Sequence, residues 1–191
     1  MKSLRLAMTA VLFAAPLSAQ GTIAARADIA FLNPDTAKSI HLAYDLGAGI
    51  EVGRRYTFLL DYARQNLSGM IQGYGASWVT MLGGAFEYAL GDARLSYRRQ
   101  FTLGLRGGMM QPHGPYLSAP YVGFAAGFRY PVNSFLRIDG HIEDVVAFLP
   151  RQNATVCDVY GDCFTSRVGG NAQQNFGVFL GFEFHPTTPG L

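Results

Sequence analysis

Cysteine is nearly absent from this chain: Cys157 and Cys163 are its whole supply. They do not form the C-x-x-C spacing that favours thiol redox chemistry, and no histidine lies near them in sequence to complete a metal site. Charge is scarce as well, at 15% of residues, against about 25% in an ordinary soluble domain. Two windows, 65–86 and 107–128, carry little or no charge. The first is broken by Asn66, Ser68, Gln72 and several glycines, and the second by Pro112, Pro115 and Pro120, so neither reads as a membrane-spanning helix. There is no basic run either, which removes the usual electrostatic footprint for nucleic acid.

What the chain does have begins at its N-terminus. Lys2 and Arg5 form a positive start, residues 6–17 a short apolar stretch, and Leu17-Ser18-Ala19 a small-residue cleavage site before Gln20, the pattern of an export signal. The apolar stretch is shorter than the ~20 residues a spanning helix needs. No cysteine follows the cut, which argues against a lipid-anchored lipoprotein. Cleavage removes two cations and no acid, so the precursor's 15 Lys+Arg fall to 13 and match the 13 Asp+Glu. Twenty-three glycines, 14 phenylalanines, 10 tyrosines and one tryptophan, spread without a fixed repeat, favour strands and turns over helices.

Reading for period two gives eight segments of alternating character. They fall near 23–32, 40–52, 56–64, 78–90, 101–109, 121–130, 135–148 and 175–184, with 94–99 open between strand and turn. The last is the clearest. Val178, Leu180, Phe182 and Phe184 share one face, while Gly177, Gly181 and Glu183 share the other, with only Phe179 intruding. One face suits lipid and the other a crowded, polar interior, which points to a membrane-spanning β-barrel rather than a soluble sheet. The connections agree. Short turns are expected after the second segment, at 53–55, after the sixth, at 131–134, and after the fourth, with longer linkers after the first, third, fifth and seventh. The expectation is therefore an all-β, eight-stranded antiparallel up-and-down transmembrane β-barrel, with residues 1–19 as signal, 20–184 as the barrel domain and 185–191 as a C-terminal extension.

With these segments, the Gly-rich hairpin 121–148 and the closing strand, the chain resembles the small eight-stranded outer-membrane barrels related to the transmembrane domain of outer membrane protein A. That family's C-terminal assembly signal is a polar residue, a glycine two on, then spaced hydrophobic or aromatic residues. Asn175, Gly177, Leu180, Phe182 and Phe184 match it, although here 185–191 runs on past the final aromatic. The resemblance implies a place in the outer membrane of a Gram-negative-type bacterium. It also implies contact with outer-membrane lipid and lipopolysaccharide, assembly by the barrel assembly machinery, and a monomer.

The faces turned inward collect Arg26, Asp28, Asp45, Glu51, Asp61, Glu87, Arg106, Arg129, Arg137, Asp139, His141, Glu143 and Glu183. In so narrow a barrel the lumen is filled by side chains, so these charges are expected to pair with each other or with trapped water. A narrow pore for small or apolar solutes, lined by the same charges, is the alternative, with the small residues Gly123, Ala125 and Gly127 of the sixth segment leaving room for it. His141, between Asp139 and Glu143, invites a catalytic reading. Deacylases built on barrels of this size would require a His-x-Ser pair, however, and His141 is followed two on by Glu143, His41 by Leu42 and Ala43. No catalytic residue, cofactor or metal ligand is assigned, and His113, between prolines, is expected in solvent. Cys157 and Cys163 enclose residues 158–162 in the longest loop of an exported chain, which favours a disulfide clamp. Girdles of aromatics are expected at both interfaces: Tyr56, Phe58, Tyr88, Tyr130, Phe182 and Phe184 at one, Phe31, Tyr44, Tyr62, Trp78 and Phe148 at the other.

Overall fold

The computed structural model describes residues 21–34, 41–53, 55–66, 78–90, 100–114, 116–133, 135–157 and 163–184. The signal at 1–19 and the extension at 185–191 lie outside these. In chain order the strands are β1 (Gly21–Pro34), β2 (His41–Val52), β3 (Tyr56–Asn66), β4 (Trp78–Leu90), β5 (Gln100–Pro112), β6 (Ala119–Pro131), β7 (Leu136–Phe148), β8 (Gln152–Cys157), β9 (Cys163–Val168) and β10 (Ala172–Phe184). Eight of them close into one antiparallel barrel in the order β1-β10-β7-β6-β5-β4-β3-β2, and β8 pairs with β9 in a separate two-stranded sheet. A 13-residue strand rising about 3.3 Å per residue at a tilt of about 40° covers roughly 30 Å, enough for an apolar band of about 25 Å.

Alternation along each strand decides which side chain goes where. β10 is strict: every second residue from Gln173 to Glu183 is buried and each one between is exposed. The exposed set across the barrel is apolar, with Leu103, Leu105, Val122, Phe124, Ile142, Val178, Leu180 and Phe182 all on the outside. A continuous apolar outer wall around a charged lumen is the inverse of a water-soluble barrel and suits lipid. Tyr56, Phe58, Tyr130, Phe182 and Phe184 at one end, and Tyr44, Tyr62 and Phe148 at the other, are among these exposed residues. Tyr56, Phe58, Phe86 and Tyr88 form a contiguous aromatic row across β3 and β4.

One expectation about the connections is corrected by the structure, and one falls on residues outside the described ones. The connection after the fourth strand, residues 91–99 between β4 and β5, lies outside the described residues. The long linker after β7 is not wholly loop, because it holds the β8–β9 hairpin. This hairpin continues the β7–β10 pair: Leu149 N–H donates to Asn171 O at 2.9 Å and Gly170 N–H to Leu149 O at 2.8 Å. Gly169 and Gly170, at φ of 77° and 83°, occupy the left-handed region together, which only glycine enters without strain, and they set the bend between the two sheets.

Candidate functional site

The lumen is built in two layers. Nearest the β2–β3 and β6–β7 turns lies an ionic layer to which all the barrel strands contribute. Arg26 of β1 sits at its hub: it is hydrogen-bonded to Glu87 and lies 3.7 Å from Asp61, 3.8 Å from Asp139 and 3.9 Å from Asp45. Arg106 of β5 reaches Asp45 at 2.5 Å, Glu143 at 2.7 Å and Asp61 at 3.6 Å. Arg129 of β6 meets Glu87, Glu183 at 2.7 Å and Asp139 at 3.6 Å, and donates to the Thr57 hydroxyl at 3.1 Å. Arg137 of β7 pairs with Glu51 at 2.7 Å.

These contacts run across the barrel. β1 to β4, β5 to β2, β6 to β3 and β7 to β2 are each three strands apart around a ring of eight. The guanidiniums therefore tie opposite walls together through the middle of the lumen. Burying so many charges is tolerable only because each is paired, since an isolated ion at this depth carries a desolvation penalty of several kcal/mol.

Of the inward charges expected from sequence, Arg26, Asp45, Glu51, Asp61, Glu87, Arg106, Arg129, Asp139, His141, Glu143 and Glu183 are buried, and Arg137 is mostly so. Asp28 stands on β1 opposite Asp45 and Gly181 in the register, and its side chain lies outside the described ones. His141 is held between two acids, with Nδ1 3.0 Å from Asp139 and Nε2 3.7 Å from Glu143, and Phe179 covers its ring. The histidine is thus enclosed on three sides and buried. Among the described residues, no group of three or more His, Cys, Asp and Glu is placed to hold a metal ion.

The second layer, toward the other end, is apolar, and sequence reading missed it. Val79, Met81, Met110, Tyr121, Val145 and Ala147 meet inside the barrel, and Tyr116, Leu149, Ala154 and Val168 close over them from the β5–β6 connection and the hairpin. Leu117 N–H donates to the Gln152 side chain at 2.9 Å, which joins that connection to β8. The signal was in the sequence: Val79, Met81, Val145 and Ala147 hold the same alternate positions as the charges further along β4 and β7. At two of the glycines proposed as a pore wall, neighbouring side chains stand close. A Cβ on Gly127 would stand 2.6 Å from the His141 Cβ, and one on Gly123 would stand 2.9 Å from a Val145 methyl, so neighbouring side chains already occupy that space. At Gly83 the corresponding space holds the Tyr121 hydroxyl.

The assembly-signal residues divide as their parity requires. Asn175 and Gly177 face the lumen, while Leu180, Phe182 and Phe184 face outward. At the hairpin, Cys157 and Cys163 are register partners closing β8 on β9, and no described cysteine is free.

No protein-family model matches the sequence, and no curated protein matches it. Solved structures do. Neisserial surface protein A superposes with a TM-score of 0.56 at 13% identity, over 86% of this chain and 96% of that one. A major outer membrane protein from Thermus thermophilus gives 0.54 at 13% identity, over 86% and 99%. At such identity the likeness concerns the path of the backbone. A closed antiparallel ring of eight strands, apolar outside and charged within, is the fold of the small outer-membrane β-barrels, and this chain has it.

Proposed function

We propose that this chain is an integral outer-membrane barrel that performs no catalysis and acts through its external end as a structural or surface-interacting protein. The observation that carries this reading is the combination of an apolar outer wall with a lumen filled along its length by an ionic layer and an apolar one. A plugged barrel has two surfaces left for function: the wall that meets lipid and the end that carries the β8–β9 hairpin. The outward face of that hairpin bears Asn153, Thr155, Thr165 and Arg167, with the Thr155 and Thr165 hydroxyls 3.0 Å apart. A disulfide between Cys157 and Cys163 clamps its tip. Export by residues 1–19, assembly by the barrel machinery, contact with lipopolysaccharide and a monomeric state belong to the same reading.

Cell fractionation and planar-bilayer recording test it together. The mature chain is expected with the outer membrane, migrating differently on gels before and after boiling, and the refolded protein is expected to show no steady conductance. Recovery from the soluble periplasm would overturn the location. A discrete, reproducible channel would replace the plugged barrel with a pore.

A further inference from the structure

Five arginines lie on the described barrel strands, and four of them, Arg26, Arg106, Arg129 and Arg137, point into the lumen and pair with acids. Arg64 is the exception. It sits two residues from the end of β3, on the outward face it shares with Leu60 and Tyr62, between Tyr44 of β2 and Thr80 of β4 in the register. Its guanidinium carbon lies 3.2 Å from the centre of the Trp78 ring, and no described carboxylate pairs with it. Trp78 also stacks on His113, with centroids 4.7 Å apart and planes at 28°, and its carbonyl accepts the His113 backbone N–H at 2.9 Å. Below this group the wall is apolar, with Leu60, Tyr62 and Leu82 exposed.

A cation at the top of a lipid-facing wall needs an anion or water. Stacking on Trp78 holds the guanidinium plane still while leaving its N–H fork free, the arrangement that suits bidentate recognition of a phosphate. Tryptophan and tyrosine at this height mark the interface where headgroups lie, and the apolar surface beneath fits acyl chains. We infer that Arg64, Trp78 and His113 form a site on the outer wall for the phosphate of a lipid headgroup in the external leaflet. The inference rests on the outer-membrane reading above.

Trp78 is the only tryptophan in the chain, so its fluorescence reports on the site directly. The protein, refolded in a phosphate-free maltoside detergent, is titrated with bisphosphorylated lipid A, with dephosphorylated lipid A and with inorganic phosphate. The first is expected to give a saturable change in emission, and the other two none. Arg64→Gln should raise the half-saturating concentration about tenfold or more, the loss of one charge-assisted contact. His113→Ala, at an exposed position, should raise it by less. Equal response to the dephosphorylated lipid, an unchanged titration in Arg64→Gln, or reproduction of the signal by inorganic phosphate would each overturn the site. Flotation with vesicles and heat-modifiable migration, measured on the same preparations, separate the two failures. A barrel that inserts but ignores lipid A refutes the site alone, whereas one that fails to insert refutes the outer-membrane reading and the site with it.

Discussion

The Phe179 ring lies flat on the His141 imidazole, with centroids 4.6 Å apart and planes within 6° of parallel. The two are direct partners in the β10–β7 register. Phe179 is the one large apolar side chain that the closing strand turns inward, and Arg106 approaches it as well, at 5.7 Å from the ring centre. What reads in sequence as a flaw in the alternation is a cover for the buried histidine. Phe179→Ala should therefore destabilise the barrel by about 3 kcal/mol or more, through lost contact and the cavity left behind. Urea unfolding of the protein refolded in vesicles measures this, and Phe179→Leu should cost less.

Arg129 and Arg137 should differ in their sensitivity to mutation. Arg129 is fully buried and faces Glu87, Asp139 and Glu183, so Arg129→Met leaves several acids short of a partner and should cost on the order of 3–5 kcal/mol. Arg137 reaches across the lumen to Glu51 and keeps some exposure, and Arg137→Ala should cost clearly less. The two variants unfolding at the same urea concentration would argue against the network as described.

On the outer wall, Leu180 is 58% exposed and lies within the apolar face of β10. Leu180→Arg places a charge where lipid is expected and should cost ~2–4 kcal/mol if the position lies near the midplane. The amount of folded barrel recovered from membranes is the measurement. Wild-type amounts would mean that this face does not meet lipid.

At the hairpin tip, mass spectrometry without reduction should find Cys157 and Cys163 two hydrogens lighter than a pair of thiols. Replacing both with serine should leave the barrel's heat-modifiable migration unchanged, because the ring closes through β1 and β10 rather than through β8 and β9. Faster proteolysis at 158–162 in the double variant is the expected local effect. Two free thiols in the exported protein would remove the clamp.

The sequence by itself determined which way each strand residue points. Period two is a property of the extended backbone, so the alternation of Glu183 with Phe182 and Phe184, or of Arg129 with Phe128 and Tyr130, already separates lumen from wall. It also revealed eight barrel strands, because glycine, proline and polar clusters interrupt the alternation at most of their ends. Tertiary structure alone decided which inward residues meet. Arg26 finds Glu87 and Arg137 finds Glu51 because closing and staggering eight strands sets the height of each side chain, and no single strand carries that information. The same closure sorts the lumen into an ionic half and an apolar half, and it brings Tyr116, Ala154 and Val168 over the apolar one. Such contacts between residues far apart in sequence leave no local pattern, which is why the Arg64–Trp78–His113 stack could not be read at all.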